Sequence, residues 1–152
     1  MSVDARLREL GIFLPDAAAP VASYVPVVTH GDLAYVSGQL PFIDGVLKKG
    51  RLGESMNLSE GMDAARACGV MILAQLKEAN LLERVERVVK LGAFVSSTPT
   101  FTDQPKVANG ASDLMFEVFG EMGRHARAAV GVPILPLGAA VEVDAVIAIA
   151  AD

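Results

Sequence analysis

The sequence predicts an α+β domain in which a mixed β-sheet carries two main helices on one face. Two long segments have apolar residues at helical spacing, and several shorter segments alternate between apolar and polar residues. They follow one another as strands, helix, strand, helix and two strands, without an internal repeat. Because the length of 152 residues suits one hydrophobic core, we treat residues 1–152 as a single domain with an N-terminal extension at 1–20.

The N-terminal third is predicted to hold one short helix and one strand. The helix is expected at 4–11, where apolar residues share one side. The segment 14–26 contains three prolines, which indicates a linker without regular structure until its last residues. A strand is predicted at 33–40, after a turn at 30–32. The segment 44–57, with three glycines and mixed charges, indicates a loop or a hairpin end.

The two main helices are predicted at residues 58–80 and 105–122. Ser59 is the expected N-cap of the first helix, because a serine hydroxyl can accept hydrogen bonds from free N–H groups of the first turn. Pro105 suits the first turn of the second helix, and Gly123 is expected to end that helix.

Three further strands complete the predicted sheet, within 85–97, at 127–132 and at 139–150. In the last strand, one face is apolar and is expected to cover the helices: Val141, Val143, Ala145, Ile147 and Ile149. The other face carries Glu142 and Asp144 among small apolar residues, which is unusual for a strand in water. This face favours burial against a partner subunit. An exposed pair of carboxylates at a sheet edge is the alternative.

Composition and charge disfavour several classes of function. The net charge of −5 and pI near 5.0 disfavour non-specific nucleic-acid binding, which relies on a basic surface. The longest apolar run, 145–151, is too short to span a membrane, and charged residues interrupt segment 1–11, so we expect a cytoplasmic protein. One cysteine, Cys68, is interpreted as a small core residue. With only two histidines, the sequence predicts neither a disulfide nor a metal site.

Arg127 is the first candidate for a functional residue. It begins a predicted strand of small and β-branched residues, where a charged side chain is costly unless it is paired. A guanidinium can form two parallel hydrogen bonds with a carboxylate. The residues alone leave two interpretations open, which are a structural salt bridge to Glu142 or Asp144 and a binding site for an anionic ligand.

The sequence resembles the reactive-intermediate deaminase family, called RidA or YjgF, in its C-terminal signature. The matching segments are Ala126-Arg127-Ala128-Ala129-Val130, Leu135-Pro136 and Val141-Glu142-Val143. Three upstream features match in order: Tyr24, a Ser37-Gly38-Gln39 turn after a strand, and Asn109 opening the second helix. The resemblance spans roughly residues 21–149. Each motif is short, but their order and spacing together are specific.

The resemblance implies a chorismate-mutase-like fold and a homotrimer with sites in the clefts between subunits. It implies hydrolysis of 2-imino acids, or their enamine tautomers, to 2-keto acids and ammonia, with no metal or organic cofactor. Arg127 would bind the substrate carboxylate. Glu142 would position the attacking water, with help from the backbone carbonyl of Ala129. Three further residues would line the cleft: Gly38 through its backbone, Tyr24 and Asn109.

Several features indicate a divergent subgroup and keep other functions open. Ala129 stands where many members carry cysteine, and Tyr24 is followed by Val25-Pro26 rather than a serine-containing turn. The alternative is a trimer that binds a small carboxylate without this catalysis. Ribonuclease activity is disfavoured by the acidic charge and the lack of a suitable histidine pair. His30 is interpreted as a turn residue. His125 is interpreted as a hydrogen-bonded structural histidine rather than a proton carrier.

Overall fold

The computed structural model describes residues 1–20 and 22–152. The helices are α1 (Val3–Glu9), α2 (Leu58–Glu78) and α3 (Gln104–Phe119). The strands are β1 (Val27–His30), β2 (Leu33–Gln39), β3 (Phe42–Ile43), β4 (Val46–Leu47), β5 (Val85–Ser96), β6 (Ala126–Val132) and β7 (Val141–Ile149). Single 3₁₀ turns follow α2 and α3 and precede β7, at Leu82–Arg84, Gly120–Gly123 and Pro136–Gly138.

Five strands form one mixed sheet in the order β1-β2-β7-β5-β6. The β5–β6 pair is parallel, and the other neighbours are antiparallel. Every second residue of β7 from Val141 to Ile149 is buried, and α2 packs against this face together with α3. The predicted α+β class, with both main helices on one face of a mixed sheet, is confirmed.

The first main helix begins one residue before the predicted cap. Asn57, not Ser59, is the N-cap, and its side chain accepts a hydrogen bond from the backbone N–H of Glu60 at 2.9 Å. The Glu60 carboxylate accepts one from the backbone N–H of Asn57 at 3.3 Å. The prediction of Ser59 was wrong because this reciprocal pair needs residues three apart. Cys68 is fully buried, so its interpretation as a core residue is confirmed.

The second main helix has Pro105 in its first turn, as predicted, but ends earlier than expected. Its C-cap is Gly120, whose φ of +62° lies in the left-handed region that glycine tolerates. Gly123 instead ends the following 3₁₀ turn, where a Cβ would clash with the backbone carbonyl of Met115.

Two local predictions in the N-terminal third need correction. His30 is the last residue of β1, paired with Leu33, so the turn is Gly31-Asp32 alone. Residues 37–39 end β2 and do not form a turn after it. The segment 44–57 does begin in a hairpin, since β3 and β4 pair around Asp44-Gly45. No helix in the described part of the chain is long and apolar enough to cross a bilayer.

Candidate functional site

Arg127 lies on the helix face of the sheet at its outer edge. Its strand, β6, is an edge strand, and Arg127 stands beside the buried Leu91 of β5. The guanidinium therefore points toward α3. Nη1 donates hydrogen bonds to Asn109 Oδ1 at 2.8 Å and to Ser112 Oγ at 3.1 Å, and Nη2 donates to the carbonyl of Pro105 at 3.3 Å. All three acceptors are uncharged, so the positive charge of the guanidinium is oriented without being neutralised.

The salt-bridge interpretation of Arg127 is wrong. Glu142 pairs with Phe94 of β5, and Phe94 pairs with Val130, on the face of the sheet opposite to the helices. Asp144 lies on that same opposite face. Arg127 forms no ion pair with any residue in 1–20 or 22–152. Of the guanidinium's five N–H groups, three meet these uncharged acceptors, which leaves Nε–H and one Nη2–H for a carboxylate.

His125 extends this arrangement behind Ser112. Its Nδ1 lies 2.6 Å from the carbonyl oxygen of Gly123, and its Nε2 lies 2.8 Å from Ser112 Oγ. A carbonyl oxygen can only accept, so Nδ1 carries the hydrogen. Nε2 of the neutral ring then accepts from the Ser112 hydroxyl. We call Asn109, Ser112, His125 and Arg127 the arginine cluster; its last three members line a hollow of about 390 Å³.

Glu142 lies on the opposite face, beside Gly38. A β-bulge in β2 sets Ser37 and Gly38 against a single residue of β7, Asp144, and Gly38 lies beside the glutamate. A Cβ on Gly38 would lie only 2.6 Å from Glu142 Oε2, so a larger residue there would displace the carboxylate. Burial, and then the charge of Asp144, raise the pKa of the half-buried Glu142 carboxyl. Its environment therefore favours proton uptake at higher pH than an exposed glutamate.

Tyr24 lies on the same side as Gly38. Both line a small hollow of about 110 Å³, together with Leu137. The Ser37 hydroxyl donates to the carbonyl of Val25 at 2.8 Å, which ties the segment carrying Tyr24 to the bulge of β2. We call Tyr24, Gly38 and Glu142 the glutamate cluster. Leu137 adopts a left-handed φ of +60°, a strained conformation for leucine that is often found at functional sites.

The structure therefore sorts the predicted site residues into two groups on opposite faces of one sheet. Asn109 and Arg127 are in contact, and Ala129 follows two residues later on the same face of β6. Asn109 lies in the second turn of α3 and does not open it, so its role here is to hold the guanidinium. Strand β5 separates β6 from β7, so the two groups cannot meet within one chain.

Two residues near these groups were not predicted from the sequence. Ser112 is three positions after Asn109 on α3, and helical spacing could have placed both beside the same ligand or side chain. Leu137 carries no such signal, because its left-handed conformation is unusual for its residue type. The described residues contain no group of three side chains that could hold a metal ion.

Comparison with known proteins gives consistent matches over nearly the whole chain. The family model described as "YjgF/chorismate mutase-like, putative endoribonuclease" matches residues 4–148. Protein TCP17 of Trypanosoma cruzi is 56% identical over 148 residues, covering 95% of this chain and 92% of that protein. Atu1372 of Agrobacterium tumefaciens, a protein of unknown function, is 47% identical with a TM-score of 0.90, covering 97% of this chain and 92% of that chain. A "putative endoribonuclease" of Shewanella oneidensis MR-1 is 34% identical with a TM-score of 0.94, covering 98% and 100%.

Proposed function

The chain belongs to the YjgF/chorismate-mutase-like family, and on that basis we propose that it hydrolyses small 2-imino acids to 2-keto acids and ammonia. The observation that carries the proposal is the pair of clusters. One holds a guanidinium with free donors, and the other holds a half-buried carboxylate with a raised pKa. The proposed ligand is a small carboxylate. The proposed setting is the cytoplasm, without metal, organic cofactor or nucleic acid.

The proposed site is a cleft between subunits of a homotrimer. A closed ring of identical chains places one face of each subunit against a different face of the next. The arginine cluster of one subunit can then meet the glutamate cluster of its neighbour, although the two are separated within a chain. The outer face of the sheet also carries large apolar side chains that are about half exposed in one chain: Val28, Tyr35 and Val130. Such residues favour a subunit interface.

In the proposed reaction, the free N–H groups of Arg127 hold the substrate carboxylate, which fixes the position of C2. Water adds to C2 while the Glu142 carboxylate accepts its proton, helped by the backbone carbonyl of Ala129. The same carboxyl then gives that proton to the imine nitrogen, which completes a carbinolamine. As the C2–N bond breaks, the carbinolamine hydroxyl passes its proton to the leaving nitrogen through the same carboxylate, so the products are the 2-keto acid and ammonia. A base whose pKa is raised toward neutrality suits this exchange. Orientation supplies much of the acceleration, because imines already hydrolyse in water.

A coupled assay tests the proposal directly. An auxiliary enzyme generates 2-iminopropanoate or 2-iminobutanoate, and the rate of keto-acid formation is measured with and without the pure protein. We expect a clear acceleration that depends on Arg127. The absence of acceleration from an intact oligomer would reject the deaminase activity.

A binding protein without catalysis is the alternative that the same fold supports. Ala129, in place of a cysteine beside the arginine, is the feature that favours it. Stabilisation of the protein by 2-ketobutyrate in a thermal-shift experiment, lost in Arg127→Ala, would support this alternative if turnover is absent. Ribonuclease activity is disfavoured by the acidic net charge of −5.

A further inference from the structure

The Ser112 hydroxyl links His125 to Arg127 and can point its proton in two directions. In the neutral state of His125, Nδ1–H donates to the Gly123 carbonyl and Nε2 accepts from Ser112. Ser112 Oγ accepts from Arg127 Nη1 at 3.1 Å. The hydroxyl proton is therefore directed at the histidine and is not available to a ligand held by Arg127.

Protonation of His125 reverses the hydrogen bond between its Nε2 and Ser112 Oγ. Both ring nitrogens then carry hydrogen, so Nε2 becomes a donor to Ser112 Oγ. The hydroxyl oxygen can accept from His125 and Arg127 together, because it has two lone pairs. Its own proton must then point elsewhere, and the hollow lined by these residues is the open direction. The imidazolium also adds a positive charge to the arginine cluster.

We propose that Ser112 and His125 are positioning residues that make carboxylate binding at Arg127 depend on the protonation of His125. The inference deepens the proposed function, because it takes Arg127 as the carboxylate site. On protonation, the Ser112 hydroxyl is freed to donate into the hollow that Arg127 also lines, and an imidazolium stands nearby. Affinity therefore rises as pH falls and His125 takes up a proton. By linkage, ligand binding is accompanied by proton uptake.

Other charged groups also surround His125. They are Asp113 on α3, Arg124 with its partner Glu121 on the adjoining 3₁₀ turn, and Arg87 on β5, which donates to the carbonyl of Arg124. In the proposed cleft, Glu142 of a neighbouring subunit can also titrate, since its pKa is raised. The experiment must therefore separate the contribution of His125 from that of Glu142.

The test measures the affinity for 2-ketobutyrate, a stable keto acid, by isothermal titration calorimetry at about pH 5.5 and pH 8. We expect binding by the parent to be about tenfold tighter at the lower pH, the size of one added charge-assisted hydrogen bond. His125→Gln should abolish this difference, and Ser112→Ala should reduce it. Glu142→Gln should preserve it. His30→Gln, which replaces the exposed histidine at the far edge of the sheet, and Ser59→Ala should behave as the parent.

Proton uptake on binding gives a second readout that needs no variant. Titrations near pH 6.5 in buffers of different ionisation enthalpy should show net uptake by the parent. Binding that requires Arg127 but has the same affinity at both pH values, without proton uptake, would overturn this inference and leave the carboxylate site standing. A pH dependence lost in Glu142→Gln and kept in His125→Gln would also overturn it. Absence of binding at either pH would overturn this inference together with the proposed carboxylate site.

Discussion

The two faces of the sheet hold their charged groups in different ways. On the helix face, the Arg127 guanidinium is hydrogen-bonded to uncharged oxygens, whereas on the opposite face the Glu142 carboxylate packs closely against Gly38. The arginine cluster orients the guanidinium through hydrogen bonds that leave its charge free. The glutamate cluster removes water from Glu142, with Asp144 nearby, and this raises its pKa. The arginine cluster contains no carboxylate, and the glutamate cluster contains no cationic side chain. In the proposed function, neither face is a complete site, and activity depends on their meeting between subunits.

Changing Arg127 should have the broadest effect, because it lowers both ligand binding and turnover. Arg127→Lys keeps the charge but loses the planar fork, and we expect keto-acid binding and turnover to fall about a hundredfold, as for a charge-assisted bidentate contact. Calorimetry and the coupled assay measure the loss. Arg66→Lys is the matched control, since Arg66 pairs with Glu117 on the outer side of the helices. Equal losses in both variants would contradict a specific role for the arginine cluster.

Changing Glu142 should reduce turnover while leaving ligand binding largely intact. Glu142→Gln removes the proposed general base, and a loss of roughly a hundredfold to a thousandfold in kcat is typical for such a group. Asp144→Asn removes the neighbouring carboxylate on the same face of β7 and should stay near the parent rate. If Asp144→Asn proved the more damaging change, the assignment of Glu142 as base would be wrong.

Gly38→Ala should act through Glu142. The added methyl group would displace the carboxylate, so we expect a loss of about tenfold in kcat, the effect of modest misplacement of a catalytic group. The double variant that combines Gly38→Ala with Glu142→Gln tests whether the loss arises from displacement of Glu142. It should be no slower than Glu142→Gln alone, because the group that the methyl displaces is already absent. Additive losses would show that Gly38 acts independently of Glu142.

The smallest expected effect is on stability. The pKa of Glu142 is raised in the fold. In the pH interval between the ordinary glutamate pKa and this raised pKa, the folded chain therefore holds more protons than the unfolded chain. Stability therefore falls as pH rises through this interval and stays lowered above it. Glu142→Gln should raise the midpoint of thermal unfolding by a few degrees at most near pH 7.5, with no difference below about pH 4. An unchanged or lowered midpoint near neutral pH would contradict the burial argument.

Local sequence patterns predicted the sheet and the helices. They did not predict details that depend on contacts with residues distant in the sequence. The alternation in β7 identified its buried face, because a strand has only two faces. The cap at Asn57 was missed because the competing Ser59 has an equally suitable side chain. The bulge at Gly38 depends on the register with β7, which one strand does not encode. The same holds for Leu137, whose strained backbone has no counterpart in its residue type.

The same contrast holds for the site: residue types identified a candidate, but not the residues that it contacts. Arg127 was identified as a candidate because a charged side chain in a strand of apolar residues is costly unless it is paired. The suggested partners, Glu142 and Asp144, were wrong because the order of strands in the sheet puts them on the other face. Ser112 was missed although it lies one helical turn from Asn109. The contact of His125 with Ser112 followed only from the structure of the turn before β6.

Complementation between two inactive variants tests the shared cleft most directly. Arg127→Ala and Glu142→Gln chains, carrying different tags, are co-expressed, and oligomers that contain both are purified and assayed. If each site joins the arginine cluster of one subunit to the glutamate cluster of another, every trimer that contains both variants has one intact cleft out of three. We therefore predict that the purified mixed oligomers recover about a third of the parent activity. Activity no higher than that of the separate variants would contradict the account, because it would mean that both groups must come from one chain.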